Sequence, residues 1–282
     1  MVLAFDIGGS RIKAAGPGGV LGEVATPLHD FAAFVAALRG FITGAERGIV
    51  LSIAGIIPPD GPATVVNIPC LHGRAVAPDL RQALGLPVLV LNDADCFAMA
   101  ELAQGAARGH RNVLGLILGS GVGGGIIIDG RLVRGTGGYT GELGHGPIIR
   151  DPAFACGCGQ SGCLDTIGSA RGLERLHRHL TGQTLTSHAI LDRWQGGPMP
   201  AVDLWLDLVS GVLAVVVNVL GCSIVPVGGG LANAPRLIAA LDLATRARIL
   251  RRTDQPLLVV AQVSADAGLI GALAAGRAEY VA

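Results

Sequence analysis

VLAFDIGGSRIKAAG, residues 2–16, is the stretch on which the fold turns. An apolar strand runs into Asp6, a Gly8-Gly9-Ser10 turn follows, and a second strand continues through Ile12 and Ala14. Glycines at such a turn let main-chain N–H groups approach phosphate oxygens closely. Asp6, at the strand end, is placed to hold a Mg²⁺-bound water, and Lys13 to offer a point charge to phosphate. Taken alone, the turn reads equally well as an ordinary hairpin. NVLGLILGSGVGGGIIIDG (112–130) repeats the pattern, with Gly119-Ser120-Gly121 between two strands. Two such units point to two related domains facing each other. No Gly-Lys-Ser/Thr follows the glycines, so this is not a Walker loop. The turn leads into a strand rather than a helix, so it is not a dinucleotide fingerprint either.

Composition agrees with a large folded core. The 282 residues are 50% hydrophobic and 15% charged, enough for two domains or one large one. Lys+Arg and Asp+Glu are both 21, which argues against a nucleic acid or an anionic membrane held by bulk charge. Lys13 is the only lysine. The N-terminus shows no signal-peptide pattern, so Cys70, Cys96 and Cys222 read as buried thiols of a reducing cytoplasm. Val209–Leu220 is apolar but short and contains Asn218, which favours a buried helix over a membrane span.

GGYTGELGHGPIIRDPAFACGCGQSGCLD, residues 137–165, carries the second signal. His145, Cys156, Cys158 and Cys163 form a Cys₃His set, a donor combination suited to structural zinc. Glu142 and Asp165 flank it, and acids are natural acceptors for sugar hydroxyls. The strand PVLVLN delivers Asn92 and Asp93 at its carboxyl end, where ligands sit in open α/β sheets. A carboxylate there can accept a proton or simply cap the next helix. Asp95 and Glu101 read as first-turn and solvent-facing acids of that helix. Further helices are expected over 30–45, from Pro78 to Leu84, over 169–180, 187–194 and 201–221, from Ala234, and over 265–276. TVVNIPC reads as a short strand ending near Asn67. His29, His177, His179 and His188 lack partners at ligand spacing and read as surface or packing residues. SIVPVGGG brings a strand to Gly229 and Gly230, where an adenine or ribose can pack flat.

DIGGSRIK, NDA, LGSGVGGG, GELGH, CGCGQSGCLD and VGGGL occur in this order over residues 2 to about 276. Together they resemble the ROK family of bacterial sugar kinases and related repressors, within the actin-like ATPase superfamily. The resemblance implies an α/β, ribonuclease H-like two-domain fold with a central cleft. Residues 1–110 plus 265–282 would form the smaller domain and 111–264 the larger. It implies ATP on Asp6, Gly8, Gly9, Ser10, Lys13, Gly119, Ser120, Gly121, Gly229 and Gly230, with Mg²⁺ assisted by Asp6. Asp93 matches the catalytic base. Asn92, Glu142 and His145 match sugar-binding positions, and Asn67 does so more loosely. His145 would serve zinc and sugar through its two nitrogens, the Zn²⁺ fixing the loop that carries Glu142. A cytoplasmic homodimer is also implied.

Four departures bear on the substrate. Asp165 stands where the family usually has glutamate, a carboxylate shorter by about 1.5 Å. SIAG replaces an SVPG-like stretch, Cys96 and Phe97 replace small residues, and the loop between Ala54 and Pro69 is compact. SIAGIIPPDG resembles N-acetylmannosamine kinases, so the expected acceptor is an N-acylhexosamine. N-acetylmannosamine comes first, then N-acetylglucosamine or glucose, then fructose. Two other classes stand beside the kinase. A sugar sensor without turnover is kept in play by Asp165. A repressor would need a DNA-binding segment ahead of a phosphate turn that starts at residue 6.

Overall fold

The computed structural model describes residues 1–194, 197–263 and 266–281. They fall into two compact units. One comprises Met1–Arg108, Leu132–Gly141 and Val263–Ala282; the other comprises Gly109–Arg131 and Glu142–Gln262.

In the first unit, β1 (Val2–Ile7), β2 (Arg11–Gly16), β3 (Gly19–Ala25), β4 (Gly48–Ile53) and β5 (Val88–Asn92) form one sheet. Its order is β3-β2-β1-β4-β5. β1, β4 and β5 run parallel, while β1–β2 and β2–β3 are antiparallel. Burial explains the sequences: β4 is buried at every residue and reads as a continuous apolar run, as central parallel strands do. Edge strand β3 is almost entirely exposed. The parallel register sets Asp6 beside Ser52 and Ile53 beside Asn92, so the polar ends of β1, β4 and β5 share one edge.

Helices α1 (Phe31–Arg39), α2 (Val76–Leu84) and α3 (Asp93–Gln104) follow. The Asp30 side chain caps α1 by accepting from Ala33 N–H, and the helix stops before Gly40, well short of the expected 45. α2 begins two residues ahead of Pro78. The expected strand TVVNIPC is not one. Thr64 makes an isolated bridge to Ile56, and Pro69, which lacks an N–H, opens a 3₁₀ turn through Leu71.

The C-terminal helix, Ala267–Tyr280, packs on α3. The expected start of this helix, Ala265, lies outside the described residues. Gly271 lies against the Cys96 carbonyl and Gly276 against Val2 and Val50, so the helix approaches its neighbours where larger side chains would collide. Cover from this helix turns α3 inward from Ala94 to Glu101. Asp95 and Glu101 are therefore buried, contrary to the solvent-facing expectation. Glu101 accepts from Ala106 N–H at 2.7 Å and from Val263 N–H at 2.6 Å. It thereby ties the chain near where it leaves the unit to the place where it re-enters. Residues 132–141, expected in the larger domain, pack here instead. Arg134 donates to the Val90 carbonyl at 2.9 Å, and Gly138 lies against the Ile57 carbonyl.

The second unit repeats the pattern with β6 (Val113–Leu118), β7 (Val122–Ile128), β8 (Arg131–Leu132), β9 (Val225–Gly228) and β10 (Leu258–Val260). The order is β10-β9-β6-β7-β8, with β6–β7 antiparallel and β6, β9 and β10 parallel. Helices α4 (Asp165–Gly168), α5 (Ala170–Thr181), α6 (Ser187–Arg193), α7 (Pro200–Leu220) and α8 (Pro235–Arg246) complete it. By length and composition α7 would suffice to cross a bilayer. Val202, Trp205, Val209, Leu213 and Val217 nonetheless bury one side of it in the core of this unit. His177 is buried in α5, and neither ring nitrogen has a hydrogen-bond partner.

Glu101→Ala strands two amides and is expected to lower stability by about 2–4 kcal/mol. Urea titration checks this, and an unchanged midpoint would show that the tie contributes nothing.

Candidate functional site

In the first unit the phosphate-type turn closes through a hydrogen bond from Gly8 N–H to the Arg11 carbonyl, 3.0 Å. Thr26 donates to the Gly8 carbonyl at 2.7 Å. Gly9 lies against the main chain of exposed Asn67, bringing that residue beside the turn. Lys13 pairs with Asp266 at 2.8 Å, and Asp266 holds a left-handed backbone (φ 53°) at the head of the C-terminal helix. Gly268, in the first turn of that helix, sits so close to the Asp6 carboxylate that a Cβ would overlap it. Burial raises the Asp6 pKa, opposed by the Ser52 hydroxyl and Lys13 and reinforced by Asp93 and Asp266.

Asn92 is the N-cap of α3, its side chain accepting from Asp95 N–H at 2.7 Å. Capping therefore falls to Asn92, and Asp93 occupies the first helical position, where its carboxylate meets Ala94 N–H at 3.1 Å. The Asp93 side chain is accessible to solvent, yet it is recessed among enough protein that desolvation raises its pKa. An accessible carboxylate with a raised pKa is suited to taking a proton from an alcohol.

In the second unit three loops converge. Gly119-Ser120-Gly121 joins β6 to β7. Gly229 (φ 86°) abuts this turn so closely that a Cβ would lie 2.7 Å from Gly119 N. The two expected nucleotide segments, 119–121 and 229–230, are thus brought together. Beside them lies a cavity of about 110 Å³, whose lining includes Ser187, His188, Asp192, Gly230 and Asn233. Sequence reading missed the polar residues of this lining. His188 reads in sequence as a surface or packing residue, and the other three carry no motif.

The GELGH turn closes with His145 N–H on the Glu142 carbonyl, 3.0 Å, which sets both side chains on one bend. His145 Nδ1 faces Cys156 Sγ at 3.7 Å, and His145 Nε2 faces Glu142 Oε2 at 4.0 Å. Cys158 and Cys163 Sγ are 3.6 Å apart, and all four donor atoms lie within 4.8 Å of one another. Tetrahedral zinc with bonds near 2.3 Å needs donor edges of about 3.8 Å, so the set fits that ion. The Cys158 thiol is lowered to about 7, chiefly by the main-chain hydrogen bond at Gln160, while burial raises Cys163 to about 11. Asp165 Oδ1 accepts from Val122 N–H at 2.8 Å, linking this segment to the glycine turn.

The ROK family matches residues 4–278. The N-acetylgalactosamine kinase AgaK of Shewanella sp. (strain ANA-3) is 35% identical, covering 98% of this chain and 97% of its own. The N-acetyl-D-glucosamine kinase of Pasteurella multocida is 34% identical, covering 97% and 98%. The crystal structure of a ROK hexokinase from Thermus thermophilus superposes with a TM-score of 0.84 at 31% identity, over 100% and 99% of the chains. A ROK glucokinase from Streptomyces griseus, in complex with glucose and AMPPNP, gives 0.71 at 26%, over 96% and 97%.

Protein purified without chelator is expected to hold about one zinc per chain, and Cys158→Ser to lose it and melt at lower temperature. Elemental analysis with thermal melting decides; a metal-poor wild type of equal stability would remove the site.

Proposed function

The chain belongs to the ROK family and is an ATP-dependent sugar kinase with the actin-like ATPase fold, and from that premise we propose that it phosphorylates the 6-hydroxyl of an N-acylhexosamine. The observation carrying this reading is Asp93: an accessible carboxylate at the carboxyl end of a parallel strand, with its pKa raised by desolvation. The relatives named as N-acetylgalactosamine and N-acetyl-D-glucosamine kinases support the acetamido class. N-acetylmannosamine, favoured by the SIAGIIPPDG loop, remains a candidate epimer.

In this reading the first unit supplies Asp93 as general base, Asp6 for the Mg²⁺ that accompanies ATP, and the 8–10 turn with Lys13 for phosphate. Asn67 and Asn92 serve the sugar. The second unit supplies the 119–121 turn and Gly229–Gly230 for nucleotide, with Glu142, His145 and Asp165 for sugar hydroxyls. Zinc on His145, Cys156, Cys158 and Cys163 holds the loop that bears Glu142. A primary alcohol is a weak nucleophile, so a carboxylate that accepts its proton as the phosphoryl group transfers lowers the barrier. Positioning and charge neutralisation contribute the rest.

ADP release is measured with N-acetylmannosamine, N-acetylglucosamine, N-acetylgalactosamine, glucose, mannose and fructose. An acetamido sugar is expected to give the highest kcat/KM, and Asp93→Asn to reduce it about a thousandfold. A Mg-ATPase indifferent to sugar, or full activity in Asp93→Asn, would refute the reading. The pH profile adds a check. The base works ionised, so kcat/KM should fall on acidification through a pKa above the ordinary carboxylate value, and that limb should vanish in Asp93→Asn.

A further inference from the structure

We propose that Asp165 is a positioning residue for the nucleotide loop, through which the Cys₃His segment holds the 119–121 turn in place for ATP. The proposal rests on the kinase reading and assigns Asp165 a duty beyond the sugar contact expected of it.

Four hydrogen bonds and two close approaches carry the inference. Asp165 Oδ1 accepts from Val122 N–H at 2.8 Å, fixing the residue that follows the glycine turn. Gly121 passes so near that a Cβ would lie 2.7 Å from the same oxygen. Ala170 N–H, at the start of α5, donates to the Gly119 carbonyl at 2.9 Å, so the other end of the turn is held from five residues further along the same segment. Asp165 N–H donates to the Gly144 carbonyl at 2.8 Å, and Gly144 itself lies against the Val122 carbonyl. Ser169 Oγ donates to the Asp165 carbonyl at 2.9 Å and keeps the short α4 turn closed. Asp165 is two residues from Cys163, a donor of the metal set. One residue thus touches the metal segment through the chain, the Glu142–His145 bend through its amide and the glycine turn through its carboxylate.

Side-chain length matters to this role. A carboxylate accepting from a main-chain amide makes a charge-assisted bond, which needs the oxygen at about 2.8 Å. A glutamate carries its carboxylate about 1.5 Å further and would overrun the Val122 amide. The shorter acid therefore suits the turn, and asparagine retains an oxygen at the same reach.

The test uses full-length chain as wild type and as Asp165→Ala, Asp165→Asn and Asp165→Glu. Hydrogen exchange of peptides spanning 119–124 is read alongside KM for ATP, KM for N-acetylglucosamine and zinc content. Asp165→Ala should raise the exchange rate and the ATP KM about tenfold, in addition to whatever the lost sugar contact adds to the sugar KM. In exchange rate and ATP KM, Asp165→Asn should stay near wild type and Asp165→Glu should resemble Asp165→Ala, and zinc should stay bound throughout. Stripping zinc with a chelator should speed exchange in the same peptides of wild type. Unchanged exchange in Asp165→Ala, or a rise in sugar KM alone, overturns the proposal. If Asp165→Ala does not fold, equal exchange in Asp165→Asn and Asp165→Glu overturns it. The exchange arm needs no turnover, so it decides even if no sugar is phosphorylated and the kinase reading itself fails.

Discussion

Main chain meets main chain at the second glycine turn, and much of the second unit depends on that close approach. Gly229 abuts Leu118 and Gly119, Gly144 abuts the Val122 carbonyl, and Gly121 abuts the Asp165 carboxylate. Each contact needs a residue without a Cβ, because an added methyl would sit inside van der Waals distance of a neighbour that cannot move independently. Three loops distant in sequence therefore share one small volume: the β6–β7 turn, the turn after β9 and the GELGH bend. The donors that surround them are main-chain amides, which hold their direction because the strands and helices behind them are buried.

The first unit is organised around buried or recessed acids rather than glycines. Asp6 and Asp93 each have a raised pKa because protein displaces water around them, and the Asp93 carboxylate adds to the rise at Asp6. Such groups weaken a fold and are retained where charge is used. Glu101, deeper still, is compensated differently. It receives amides from both sides of the chain crossing, so its buried carboxyl oxygens are hydrogen-bonded.

Both glycine turns between strands, the strand that presents Asp93 and the clustering of the Cys₃His donors were legible in the sequence, because each is set by local chemistry. A turn needs its glycines, a central parallel strand needs an apolar run, and a metal needs donors near one another. What escaped is tertiary. Glu101 has the sequence of an exposed helical acid, and only the C-terminal helix laid across α3 reverses that. Asn92 and Asp93 are both competent caps, and the chain's entry into α3 selects Asn92. The pairing of Asp165 with Val122 spans 43 residues, a relation no motif records. Residues 132–141 belong with the first unit through Arg134 and Gly138, whose partners lie far upstream. Ser187, His188, Asp192 and Asn233 line a cavity only because α6 and the turn after β9 are folded side by side.

Lys13 gives the molecule an unusual handle. It is the only side-chain amine among 282 residues, and it lies beside the first phosphate-type turn, paired with Asp266. Reagents that acylate lysines on most proteins meet a surface of arginines here, and their one side-chain target is next to the first glycine turn. Amine coupling to a sensor chip or resin through a side chain would therefore tether the protein at that turn. Thiol coupling at exposed Cys158 would tether it at the Cys₃His set instead. An added tag would leave both regions free.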